Sequence, residues 1–399
     1  MLTLLVRKFG PFVVRIAHPA SVIALDFKSV QPLLPLVSWK SLQWVVRYFV
    51  VLVWDGKVCA LTHLIRILLV LRQSLLALPF IMLLVGCEAE SGPLPTSNSL
   101  PPEKVASIAA TIETKYPDLS NELRDKVLNT VVQSIDNMVF VEGGQFDMGD
   151  FGWACEYDEK NVCAWPCGQK PDQLCNISRN ADDDFVHPVK LSSFYLSKFQ
   201  TTVRDFDVFF ISQGKEVFDA KLRNREDLKS MYFPKLPAPT KTWQEAKDYC
   251  HWIAGISGYA VDLPTEAQWE FAARNRGQHI LFPTSSGSLD FGKNFPMEGE
   301  GETFFVDRFL PNPLGIYNLS GNATDWVNDW YNDDYYQNSP IENPDGPKSG
   351  KQKVKRGSNY PEAPLSAAPV VRRWPESPNE DAYYPGTSFR CAIQVSKLL

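Results

Sequence analysis

Cysteine is the first residue type here that could do chemistry, because a thiolate is at once a nucleophile, a redox centre and a soft metal ligand. Cys155, Cys163, Cys167 and Cys175 stand at spacings of eight, four and eight in the loop GDFGWACEYDEKNVCAWPCGQKPDQLCN, and Cys250 and Cys391 follow singly. In an oxidising compartment such a cluster cross-links, giving two local disulfides; a zinc site or a reducible redox pair would use the same spacing differently. Hard-donor chemistry is the second candidate. The stretch Leu314 to Tyr331, LGIYNLSGNATDWVNDWY, offers Asn318, Asn322, Asp325, Asp329 and the carbonyls between them. Those oxygens suit a cation such as Ca²⁺, or the Asn and Asp cap turns above a layer of aromatics. Asp182-Asp183-Asp184 and the segment Asn332 to Tyr336 read either as cation ligands or as solvated loops. His187, His251 and His279 are scattered, and could build a three-ligand iron site or serve structure alone. The sequence contains neither a Gly-rich phosphate loop nor a nucleophile elbow.

The elements that must position these residues can be read along the 399-residue chain. Residues 1–65 are apolar and basic, but Arg47, Asp55 and Lys57 interrupt every run before the ~20 residues a membrane span needs. They are expected to be a misassigned N-terminal extension. Arg66 and Arg72 then precede the uncharged run Gln73 to Gly86, the pattern of a secretory signal over 66–86. It ends Leu84-Val85-Gly86-Cys87, which resembles the lipobox of bacterial lipoproteins, where the Cys becomes the lipidated N-terminus. Residues 87–102 are small, polar and Pro-rich, as a tether would be. Residues 103–137 carry a helical period through Leu119, Leu123, Val127, Val131 and Ile135, with Asp118 or Ser120 as cap. From Met138 the pattern changes to strand and turn, with Val139 to Val141 before a Gly-Gly pair and Phe146 and Met148 after it. Thr242 caps a helix with Ala246 and Tyr249 facing inward; Pro264 and Thr265 begin another whose buried face is Ala267, Phe271 and Ala272. Beyond residue 86, 31 Lys/Arg face 44 Asp/Glu, which excludes a basic nucleic-acid-binding surface. Thirty Pro and 23 Gly indicate a loop-rich fold.

A series of blocks over residues 138–396 resembles, in order, the formylglycine-generating enzyme family, also called the sulfatase-modifying factor family. They are Phe140-Val141-Glu142-Gly143-Gly144 with Met148-Gly149; His187-Pro188-Val189 with Phe194-Tyr195-Leu196 and Thr201-Thr202-Val203; and Thr242-Trp243 with Ala246 and Tyr249-Cys250. The run Leu263-Pro264-Thr265-Glu266-Ala267-Gln268-Trp269-Glu270-Phe271-Ala272-Ala273-Arg274 follows, then Asn312-Pro313-Leu314-Gly315-Ile316-Tyr317-Asn318 and Ser388-Phe389-Arg390-Cys391-Ala392. The resemblance implies one α+β domain over 138–399, loop-rich and related to C-type-lectin-like folds, carrying a Cys-rich insertion over 151–183.

It also implies site residues. Cys250 and Cys391 stand where the family forms a disulfide. Asn318, Gly321, Ala323 and Asp325 stand where it holds a structural calcium, with Asp325 one methylene shorter than the usual Glu. The family's copper-binding cysteines follow an Arg-Gly-Gly-Ser-aromatic turn, which here reads Arg356-Gly357-Ser358-Asn359-Tyr360. Counting on places Glu362 and Ala367 where the thiolates belong, and neither can replace one. Arg372, Arg373 and Trp374 fall where the family's substrate groove would run, either gripping a peptide by charge and stacking or forming a surface turn. The resulting expectation is a lipoprotein of the bacterial envelope, anchored through Cys87, facing the periplasm, on the outer membrane in preference to the inner. It would lack copper oxidase activity and act as a binding or structural module for an unknown envelope protein or peptide. An oxidoreductase using non-haem iron on an unknown substrate is the alternative, and a redox or maturation helper the third reading.

Overall fold

The computed structural model describes residues 94–178, 180–297, 300, 303–358, 370–371, 373–379 and 386–394. The extension 1–65, the signal 66–86, Cys87, Glu362, Ala367 and Arg372 lie outside the described residues. Among the described residues no helix is long and apolar enough to cross a membrane.

The region expected to be helical is two helices, α1 (Pro102–Lys115) and α2 (Asn121–Asp136), broken at Tyr116-Pro117 because proline disfavours helical backbone in the residue before it. Of the two candidate caps it is Ser120 that accepts from Leu123 N. The tether ends earlier than its composition suggested. Ser97 and Ser99 hydroxyls both donate to Asp136 Oδ1, at 2.5 and 2.6 Å, and Leu100 is buried, so the chain docks on the end of α2 from Ser97 onward.

The inward residues of α1 and α2 join those of α3 (Val203–Ser212) and α4 (Trp243–Ser257) in one core that includes Ile108, Val131, Phe206, Tyr249 and Ile253. Thr242 and Glu245 form a reciprocal capping box at the start of α4, which places Cys250 on its buried side. The strands are β1 (Met138–Val141), β2 (Gly144–Met148), β3 (His187–Leu191), β4 (Phe194–Ser197), β5 (Val261–Asp262), β6 (Thr324–Trp330), β7 (Lys353–Arg356), β8 (Trp374–Glu376), β9 (Thr387–Phe389) and β10 (Ala392–Ile393). They make two four-stranded sheets, β1-β4-β10-β5 and β8-β7-β6-β9, and a β2-β3 ribbon. A second core lies between them around α5 (Glu266–Ala273), with Trp269, Phe271, Val189, Leu196, Val327 and Val354. This mixture of helices, short strands and long connections is the expected α+β domain.

The segment between β2 and β3 is the cysteine-rich insertion. It is held by Cys155–Cys175 and Cys163–Cys167 disulfides, by a backbone bridge between Trp153 and Cys175, and by a small core in which Trp153 and Ala154 meet Leu281, Phe282, Leu289 and Phe295. The four clustered cysteines form two local cross-links in place of a zinc site. Cys250 of α4 is bonded to Cys391 beside β10, 141 residues away. Because the denatured-state entropy removed grows with loop length, replacing Cys250 and Cys391 by Ala is expected to cost about 2–5 kcal/mol, and more than replacing Cys163 and Cys167. Thermal unfolding of the two double variants checks that order.

Candidate functional site

The helix α5 was expected to bury one face; all eight of its residues are buried. Thr265 caps it by accepting from Gln268 N, and Gln268 reaches back to Thr265 N. Total burial carries Glu266 and Glu270 inside, together with Arg274 just past the helix end, where an unpaired charge would cost several kcal/mol. Two arginines from distant segments answer them. Arg356, at the end of β7, donates to Glu266 Oε1 at 3.0 Å and to Glu270 Oε2 at 2.8 Å. Arg373 donates from Nε to Glu266 Oε1 at 2.8 Å, and Arg274 from Nη1 to Glu270 Oε1 at 2.9 Å. Burial works to raise the Glu266 carboxyl, but Arg373 and Arg356 outweigh it and hold it below the usual range. Tyr336 donates to the same Glu266 oxygen and lies with Tyr331 against the Arg373 guanidinium, at 4.3 and 4.9 Å.

This lattice corrects the reading of Arg373 as a groove residue. It is fully buried, because Glu266 carries a charge that only a buried cation can match. Trp374 is half-buried and its indole donates to Gly357 O. The signal in the sequence was the spacing of Glu266, Glu270 and Arg274 by four inside an apolar helix, which puts three charges on one stripe.

The Arg356-Gly357-Ser358 turn sits on top of the lattice. Gly357 has φ +81°, and a Cβ there would stand 2.8 Å from Leu319 O and 3.2 Å from the Trp269 ring, so only glycine fits. Ser358 Oγ is 2.7 Å from Ser320 Oγ and accepts from Gly321 N at 2.9 Å. The turn is thereby fastened to the Asn/Asp loop. Among the described residues every cysteine is in a disulfide, and no cysteine occurs between Cys250 and Cys391.

The Asn/Asp loop was expected to hold calcium through Asn318, Gly321, Ala323 and Asp325. The residues present do not fit an ion held by Asp325. Its Oδ2 accepts from Arg390 Nε at 2.6 Å and Trp269 Nε1 at 2.9 Å, and its Oδ1 from Gln200 Nε2 at 2.8 Å. The same Gln200 nitrogen donates to Ala323 O at 2.8 Å, so one amide takes two of the four oxygens assigned to the ion. The buried Arg390 guanidinium cancels the only formal charge in the set, whereas calcium needs several uncommitted oxygens at 2.3–2.6 Å. Asn318 Oδ1 is buried without a partner. Gln200 and Arg390, far apart in sequence, clasp the loop through Asp325 and Ala323.

The three histidines are not brought together. His187 lies against Tyr336 with Nδ1 3.1 Å from Phe185 O, His251 faces Asp262 across 3.2 Å on α4, and His279 stacks on Trp165 at 4.0 Å. Their scatter removes the iron site. Among the described residues one group of His, Cys, Asp or Glu side chains is close enough to share a metal, Asp150, Asp183 and Asp184. The Asp run is only partly solvated: Asp184 is exposed, but Asp183 is wholly buried, and the Asp182 carboxylate accepts from Tyr331 OH at 2.8 Å.

The disulfide-clasped α+β scaffold and the thiol-free turn define the class. Residues 124–395 match the family of the "Sulfatase-modifying factor enzyme 1-like domain", and the chain belongs to that family. The formylglycine-generating enzyme of Bos taurus is 37% identical over 143 residues, 33% of this chain and 36% of that protein. A protein named serine/threonine-protein kinase pkn1, from Chlamydia pneumoniae, is 27% identical over 237 residues, 56% of this chain and 33% of its own. The matched stretches thus span about a third of those relatives. Among solved structures, PvdO from Pseudomonas aeruginosa is 22% identical, with TM-score 0.47, covering 65% of this chain and 94% of that one.

Replacing Arg373 by Ala would leave buried Glu266 to Arg356 and Tyr336 alone. The expected loss is about 3–5 kcal/mol in denaturant unfolding, with a smaller loss for Trp374→Ala, the reverse of what an exposed binding residue would give.

Proposed function

We propose that this chain is a formylglycine-generating-enzyme-like protein without copper oxidase activity, acting as a binding or structural module of the bacterial envelope. One observation carries this reading. All six cysteines of the domain are joined in pairs, and the stretch after Arg356-Gly357-Ser358 contains no cysteine up to Cys391, so the soft thiolates that select Cu(I) have no source there. That argument needs only the sequence beyond Ser358, and holds wherever Glu362 and Ala367 stand. The lattice and the Asp325–Arg390 pair support a scaffold kept intact without the redox centre. The partner is an envelope protein or peptide.

The run Gln73 to Cys87 supports anchoring through a lipid on Cys87, and three disulfides support an oxidising compartment such as the periplasm. The purified protein, incubated with a cysteine-containing sulfatase-type peptide, Cu(I) and oxygen, is expected to yield no aldehyde by mass spectrometry; stoichiometric aldehyde would overturn the reading. In the same preparation the N-terminal peptide is expected to begin at Cys87 with a diacylglyceryl mass, and peptides from residues 1–60 would contradict the signal assignment.

A further inference from the structure

We propose that Asp150, Asp183 and Asp184 bind one divalent hard cation, calcium, which fastens together the two ends of the cysteine-rich insertion. Asp150 follows β2, where the chain leaves for the insertion, and Asp183 and Asp184 lie just ahead of β3, where it returns. One carboxylate oxygen from each lies within 4.8 Å of the others, about twice a calcium–oxygen bond and so within reach of a common ion.

Clustering alone would not make a site; the state of Asp183 does. It has no exposed surface, and neither of its carboxylate oxygens has a hydrogen-bond partner of ordinary geometry, the Ser178 hydroxyl lying beside it without completing one. A buried carboxylate is ordinarily matched by a cation or by several donors, because leaving it bare costs kilocalories. The two neighbours are oriented but not used up. Asp150 accepts from Gly152 N at 3.0 Å and Ser178 N at 2.7 Å, and Asp184 accepts from Asn176 Nδ2 at 2.8 Å. Each carboxylate oxygen can accept more than one bond, so these contacts leave lone pairs for an ion.

The protein's nearby cations are engaged elsewhere. Arg356 is bound to Glu266 and Glu270, and Arg373 reaches Asp182 rather than Asp183, with Nη1 3.2 Å from the Asp182 carbonyl. Three carboxylates and no nitrogen or sulfur ligand select a hard oxygen-seeking ion. Calcium, with its tolerance of irregular geometry, suits them better than magnesium, which demands a near-ideal octahedron. Asp184 is exposed and opens the site to solvent.

Binding would have a structural effect. Asp150 N already donates to Asp183 O at 2.7 Å, so the ion would reinforce the pairing of the insertion's two ends. Through Asp182, held by Tyr331 and Arg373, it would stiffen the edge of the buried lattice.

The test uses the full chain stripped with a chelator and titrated with calcium, followed by calorimetry and thermal unfolding, beside Asp183→Asn and Asp325→Asn. Asn is nearly isosteric with Asp and neutral, so Asp183→Asn is expected to fold without calcium at least as well as the parent. The parent should bind one calcium and gain a saturable rise in Tm; Asp183→Asn should weaken binding by about tenfold or more, and Asp325→Asn should keep it. No calcium uptake by the parent would overturn the proposal, as would undiminished affinity in Asp183→Asn. Loss in Asp325→Asn with retention in Asp183→Asn would move the ion to the Asn318 loop and equally overturn it.

Discussion

The structure depends on neutralising the charges that α5 carries into the core. Glu266 and Glu270 belong to a helix with no exposed face, and each is met by a guanidinium remote in sequence, Arg356 from β7 for both and Arg373 from the entry to β8 for Glu266, while Arg274 at the helix end also pairs with Glu270. Such pairs add little net stability over a well-packed apolar core, but removing one partner is severe. Their effect is therefore to fix position. The bonds to both carboxylates hold β7 and the chain before β8 against α5, and with them the Arg356-Gly357-Ser358 turn.

A second pair extends the same logic. Asp325 and Arg390 join β6 to the segment after β9, with Trp269 of α5 donating to the shared carboxylate oxygen. The Asn/Asp loop is thus tied to α5 by one residue and to the C-terminal strands by another. The Cys250–Cys391 bond lies next door in sequence to Arg390, so covalent and ionic clasps act on the same short segment.

Much of this was legible in the residues. The caps at Ser120, Thr242 and Thr265 and the strand and turn from Met138 to Met148 follow local rules, since the groups that satisfy them lie within four residues. The disulfide partners of Cys250 and Cys391, and the domain itself, came through resemblance. What did not come was every decision made by long-range charge matching. Arg373 looked like a surface hook because nothing near it in sequence shows that Glu266 lies 2.8 Å away. Nothing near Asp325 in sequence shows that it meets Arg390 and Gln200, 65 and 125 residues distant. Asp183 looked solvated because a run of three acids usually is; its burial follows from the path of the insertion, which disulfides and the Trp153 core determine.

The central claim is that the family's scaffold persists here while its copper centre does not. Competition for Cu(I) against a chromophoric chelator, with the intact, non-reduced protein, tests it most directly. The account predicts that the chelator keeps the metal and no stoichiometric Cu(I) complex of the protein forms. One tightly held Cu(I) per chain would contradict it.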